Sequence, residues 1–92
     1  VNFTAEFREW WNPLERDLKQ AILRTVRLLE EYGPNLSRPY ADTLTGSKLK
    51  NLKELRVQHK GEPYRILFAF DPKREAWLLL GGNKAGDDKW YK

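Results

Sequence analysis

A Lys60-Gly61 pair separates two runs rich in alternating apolar and polar residues, Leu52 to Gln58 and Tyr64 to Phe70, and that arrangement predicts an antiparallel hairpin. Taking Lys60 and Gly61 as the loop sets the register. His59 opposes Glu62, Val57 opposes Tyr64, Arg56 opposes Arg65, and Leu55 opposes Ile66. Asp71-Pro72-Lys73-Arg74 reads as a second turn, leading to a third strand over Ala76 to Leu80. Side chains alternate between faces. One face therefore collects Leu55, Val57, Tyr64, Ile66 and Phe68, joined by Trp77 and Leu79. The other carries Glu54, Arg56 and Arg65, with Leu67 and Leu78 nearby. A slip of one residue would bury the arginines and expose the aromatics, so the apolar pattern itself holds this register.

The apolar face needs a cover, and the first half of the chain supplies one. Leu14, Leu18, Ala21, Ile22, Thr25, Leu28, Leu29 and Tyr32 recur at three- and four-residue steps. That is one apolar stripe on a helix from about Pro13 to Tyr32. Asn12-Pro13 reads as its start, with Asn12 as N-cap, and Gly33-Pro34 as its stop. Glu6 to Trp11 reads as a shorter helix, preceded by a fragment of strand at Val1 to Thr4. Asn35 to Ser47 reads as a loop. Helices on one face of an antiparallel sheet make the expected fold class α+β, in one domain of 92 residues.

The chain has no cysteine and no apolar run long enough to span a bilayer, and its first residues lack a signal-peptide core. A reducing cytoplasm is the expected location, with no membrane partner. The net charge of +4 is uneven: residues 1–45 carry six Lys/Arg against seven Asp/Glu, and residues 46–92 carry eleven against six. The positive excess lies wholly with the strands, as expected of a surface that meets phosphate, although a solvated surface has the same composition.

Arg56 and Arg65 are the first candidates for chemistry. Like charges directly opposite in a sheet repel by roughly 0.2–1 kcal/mol. Three arrangements accommodate them: a neighbouring acid such as Glu54, escape of both side chains to water, or an anion gripped between two guanidinium forks. Lys48, Lys50 and Lys53 extend the basic region ahead of the first hairpin strand, as expected of RNA-backbone contacts, and Lys89 adds to it near the end. Lys84 and Tyr91 follow the third strand and offer an ammonium and a phenol for proton transfer, given neighbouring cations. Asp87 or Asp88 reads as a helix N-cap and Trp90 as packing. His59, the lone histidine, reads as a solvated residue beside the turn, at the far end of the hairpin from Gly81. There is no phosphate-binding glycine loop, no Ser-His-Asp set and no metal-ligand spacing, so neither cofactor nor metal is expected.

The run from Leu52 through Arg56, His59 and Pro63-Tyr64-Arg65 to Asp71-Pro72 resembles the HigB-like branch of the RelE/ParE toxin superfamily. So do Leu78 to Lys84 and Asp87-Asp88-Lys89-Trp90-Tyr91, and the segment Glu30 to Tyr40 is similar to the same family. The resemblance implies a bacterial type II toxin with a compact α+β domain and a small helix-turn-helix antitoxin as partner. Many members cut mRNA on the ribosome without a metal. Arg56 and Arg65 match the family's sheet arginines, implied to hold the scissile phosphate. Lys84 and Tyr91 match the segment that carries its acid–base groups; of the two, the Tyr91 phenol is the expected base, with Lys84 expected to lower its pKa or to protonate the leaving oxygen. ParE-like relatives share the fold and inhibit DNA gyrase without chemistry, and an inactive relative would only bind its antitoxin. Family members often begin a few residues earlier and continue past the Trp-Tyr segment into a C-terminal helix, which a chain ending at Lys92 is expected to lack.

Overall fold

The computed structural model of the chain describes residues 1–44 and 52–85. In order the elements are β1 (Asn2–Phe3), α1 (Ala5–Trp11), α2 (Arg16–Tyr32), a 3-10 turn (Gly33–Asn35), β2 (Ala41–Thr43), β3 (Lys53–His59), β4 (Glu62–Phe70) and β5 (Ala76–Asn83). The strands form one sheet in the order β1-β5-β4-β3-β2. β3, β4 and β5 pair antiparallel, as expected; β2 extends the antiparallel order by one unexpected strand, and β1 adds a short parallel edge against β5. No helix among the described residues is long and apolar enough to cross a membrane.

α1 begins where Thr4 can cap it. The Thr4 hydroxyl accepts from the Phe7 N–H at 3.1 Å and donates to the Leu79 carbonyl at 2.7 Å. One side chain thus satisfies an orphan helix donor and ties the helix to β5. Thr4→Ala is expected to cost about 1–2 kcal/mol, the upper range for a lost cap. Urea denaturation checks this; a loss under a few tenths would mean that water replaces both bonds.

The start of α2 differs from the sequence expectation. Asn12 does not cap it; it closes α1, donating its N–H to the Arg8 carbonyl at 2.9 Å. Leu14 then donates to the Trp11 carbonyl, and Glu15, with extended backbone, precedes the first turn of α2. The Glu15 carboxylate is engaged elsewhere, accepting from Lys60 Nζ at 3.3 Å and lying 3.1 Å from His59 Nε2. His59 is therefore not a solvated turn residue: its side chain is 15% exposed and fastens the β3–β4 turn to the head of α2. Nor is it remote from the end of β5, which runs on to Asn83, whose side-chain amide donates to Glu62 beside the turn.

The α2 stripe buries Leu18, Ala21, Ile22, Thr25, Val26 and Leu29; Tyr32 is exposed. These residues meet Leu55, Val57, Ile66 and Phe68 from the hairpin, Ala76 and Leu78 from β5, and Phe7 from α1. The hairpin register is the expected one, Arg56 opposite Arg65 included. The phase of β5 is not. An irregularity between Leu67 and Phe68 pairs Leu67 with Leu80 but Phe68 with Leu78, so Leu79 is an extra residue. Leu78 and Ala76 therefore enter the core in place of the expected Trp77 and Leu79. Trp77 turns outward and donates its indole N–H to Asp71 at 3.2 Å. Within the expected loop, Ala41–Thr43 pairs with β3 as an edge strand.

Candidate functional site

The site lies on the sheet face away from the helices. Leu55 and Val57 of β3 point into the core, so strand alternation turns Glu54, Arg56 and Gln58 to the opposite side. The Arg56 N–H bonds the Tyr40 carbonyl on the β2 side at 2.8 Å. Arg56 and Arg65 are therefore a pair without mutual backbone hydrogen bonds, the kind in which Cα atoms approach to about 4.5 Å and side chains crowd most. Two arginine side chains therefore leave the middle of the sheet side by side.

Their surroundings differ. Arg65 is buried, 7% exposed, and so is Glu54, also at 7%. Arg65 Nη1 donates to the carbonyl of Tyr64 at 2.9 Å. Its Nε stands 3.6 Å from Glu54 Oε1, an ion pair beyond hydrogen-bond length, and finds no hydrogen-bond partner among the described residues. Burial first, then Arg56, lower the Arg65 proton affinity from its ordinary value, and Glu54 opposes them. Arg56 is half-buried. Pro39, Arg56, Gln58 and Arg65 line a cleft of about 270 Å³, room for several waters or a phosphodiester group. The sequence left three arrangements open for the arginine pair. The structure gives Arg65 its acid, Glu54, and keeps a cleft beside the pair.

Nearby, Arg38 grips Asp42 through Nε at 2.9 Å and Nη2 at 2.6 Å. Hydrogen bonding from Arg38 is the main reason that the Asp42 carboxyl titrates below its usual range. Glu15 is lowered mainly by its contact with His59 and then by Lys60, and Asp71 mainly by the N–H of Glu75. Carboxyls held below their unfolded values contribute stability above about pH 4, and it is lost as pH falls through the folded values. The urea midpoint is accordingly expected to hold between pH 7 and 5 and fall below about pH 4. Asp42→Asn and Asp71→Asn should each shallow that fall; unchanged slopes would exclude these carboxyls as its source.

The structure gathers part of the expected set. Lys84 follows β5, its N–H bonded to the Pro63 carbonyl at 2.7 Å. Gly82 pairs with Arg65, so strand phase places Lys84, two residues on, toward the Arg65 face. Lys53 does not belong with them. It lies on the helix-covered side, its ammonium 5.6 Å from the centre of the Phe70 ring and 3.5 Å from the Pro34 carbonyl. Its place was legible, because Lys53 and Arg56 differ in strand parity. Lys48, Lys50, Lys89 and Tyr91 lie outside the described residues. Gln58 and Pro39 were not anticipated. Gln58 carried a signal, since it shares parity with Arg56; Pro39 reaches the cleft from a loop with no periodicity to place it.

A larger groove of about 400 Å³ runs between α1, α2 and β1 on the other side of the molecule, lined by Phe3, Trp11 and Leu23 among others. Its charged lining residues are Arg8 and Glu30, and none of the expected site residues reaches it. No group of three or more potential metal ligands occurs among the described residues.

A five-stranded sheet backed by helices on one face is the architecture of a small α+β domain of the RelE type. A chain in the crystal structure of the RelB–RelE antitoxin–toxin complex from Methanococcus jannaschii superposes with a TM-score of 0.67 over 92% of each chain, at 10% identity. The family described as Phage derived protein Gp49-like (DUF891) matches residues 9–92. Two proteins of Mycobacterium tuberculosis, named HigB2 and HigB3 and described as toxins, are 45% and 47% identical over 99% of this chain. The chain spans 48% of HigB2, about half its length, and 79% of HigB3. The chain belongs to the Gp49-like family, within the HigB-like branch of the RelE/ParE superfamily.

Proposed function

We propose that the protein is the toxin of a type II toxin–antitoxin pair and that it cuts mRNA on the ribosome, using the Arg56–Arg65 cleft to hold the scissile phosphate. The observation that carries this reading is the guanidinium pair itself: two arginines held on one rigid sheet face, beside a cleft of phosphodiester size. The kinship with HigB2 and HigB3 supports the toxin role.

RNA brings its own nucleophile, the 2′-OH. The protein then has to orient that hydroxyl in line with phosphorus, stabilise charge on the phosphoryl oxygens and move two protons. Arg56 and Arg65 provide the charge stabilisation, usually the largest single contribution. Tyr91 removes the 2′-OH proton, with Lys84 lowering its pKa or protonating the 5′ leaving oxygen. The products are a 2′,3′-cyclic phosphate and a 5′-OH end. The ribosome contributes by fixing the mRNA backbone. A small helix-turn-helix antitoxin silences the protein in the bacterial cytoplasm.

Purified protein with programmed ribosomes and a defined mRNA, read by mapping 5′ ends, tests the proposal. Cuts that depend on ribosomes and vanish with Tyr91→Phe support it. Intact mRNA together with inhibited gyrase supercoiling would instead assign the protein to the gyrase-directed group.

A further inference from the structure

The least expected group on the site face is Glu54. It is an acid on the face that is to receive an anion, and it is as buried as Arg65. Across the sheet its paired neighbours are Asp42 on β2 and Leu67 on β4. Neither can donate a side-chain hydrogen bond to an ionised Glu54. Asp42 is already committed to Arg38. Among the described residues the one cation in an ion pair with Glu54 is Arg65, which it meets on the diagonal, oxygen to Nε, at 3.6 Å.

That distance is informative. Coulomb attraction falls slowly with separation, whereas a hydrogen bond requires closer approach and alignment. Glu54 thus supplies charge to Arg65 without fixing it by a directional bond. The directional bond on Arg65 is the one from Nη1 to the Tyr64 carbonyl, within its own strand. The guanidinium is steered by a backbone carbonyl and a carboxylate while it also lines the cleft. Bringing a second anion to it breaks no hydrogen bond between Arg65 and Glu54.

We infer that Glu54 is a positioning residue for Arg65: a resident counter-anion that keeps the guanidinium oriented toward the cleft and limits the positive charge there until a substrate phosphate arrives. The role rests on the phosphate reading of the cleft. It has two consequences that a purely structural ion pair would lack. With Glu54 present, the two arginines carry a net charge of about +1, which restrains affinity for RNA backbone; without it the cleft carries about +2. Without it, Arg65 also keeps only one of the two groups that steer it, the Tyr64 carbonyl, so a tighter complex should react more slowly.

The experiment compares wild type, Glu54→Gln, Glu54→Asp and Arg65→Ala. Binding of a 2′-O-methyl oligonucleotide, which cannot be cut, is followed by anisotropy over a range of salt. Cleavage on ribosomes gives kcat and KM, and thermal unfolding gives the folded fraction. Glu54→Gln is expected to bind about tenfold tighter with a steeper salt dependence, and to lower kcat by about tenfold. Glu54→Asp keeps the charge and shortens the arm, so kcat should fall while KM and affinity stay near wild type. Arg65→Ala should bind more weakly.

If Arg65→Ala weakens binding but Glu54→Gln leaves affinity and salt slope unchanged, the counter-anion role is wrong and the phosphate cleft stands. If Arg65→Ala binds as wild type does, the cleft is not a phosphate site and both readings fall. Should Glu54→Gln fail to fold, Glu54→Asp decides: an unchanged kcat overturns the positioning role.

Discussion

Arg65→Ala is expected to lower ribosome-dependent mRNA cleavage by about 10²–10³-fold and to release growth inhibition, the scale seen when one charge-stabilising donor is removed. The expectation follows from where Arg65 sits. Its backbone is held in a ladder between β3 and β5, and one terminal nitrogen is anchored to the Tyr64 carbonyl. A cation built in this way needs little reorganisation when charge develops on a phosphate. The same burial gives alanine a second effect: it leaves Glu54 without its cation, and a buried carboxylate so abandoned is destabilising. Two controls separate the effects. Arg65→Lys keeps the charge and loses the planar fork, so it should fold and still lose most of its activity. Arg56→Ala removes the half-buried partner, which no hydrogen bond to an acid restrains among the described residues, and should reduce cleavage with little change in melting temperature. Cleavage assayed alongside thermal unfolding checks all three. Full activity in folded Arg65→Ala would end the assignment.

The legible parts of this fold share a property: a turn that fixes phase next to a strand whose two faces differ. Lys60-Gly61 has both residues at positive φ, 50° and 78°, as a tight hairpin turn requires, and every later pairing in β3 and β4 follows from it. The third strand lacked that property. Trp77-Leu78-Leu79-Leu80 is apolar at every position, so alternation gives no phase there, and the extra residue at Leu79 shifted the inward set by one. β2 was hidden because three residues, Ala41-Asp42-Thr43, are too few to show a period. The head of α2 was misplaced because Asn12 is a good residue at either end of a helix, and the choice was made by α1, whose last turn needed its N–H. In the site, the arginine pair was readable from parity, and Lys53 should have been separated from it on the same ground; Lys84 was legible only as a residue that follows the third strand. The depth of Arg65 was not readable. Burial on the face away from the helices depends on tertiary cover, and no local pattern encodes it.

Gly81→Val is expected to destabilise the domain by about 3 kcal/mol, at the upper end for overpacking, which for a domain of this size is a drop of roughly 12–24 °C in melting temperature. The cause is a close approach rather than a turn. Gly81 faces the helix side of β5, opposite Ile66, and the body of the Trp10 indole occupies the place where a side chain would begin. The obstruction is the fused ring, not the tip of a flexible chain, so Trp10 cannot give way without leaving its contact with Phe7, whose ring centre lies 5.7 Å away. Phe7 in turn stacks on Trp11 and is part of the core. Displacing one indole therefore loosens the seam by which α1 holds β5, and Gly82, the next residue, pairs directly with Arg65. Stability and site geometry should fail together. A double-mutant cycle shows whether the mechanism is this contact. Gly81→Ala should be costly in the native background and nearly neutral once Trp10 is replaced by alanine, because the occupied space is then empty. Additive losses would mean that the glycine is required for its backbone and not for the ring packed on it.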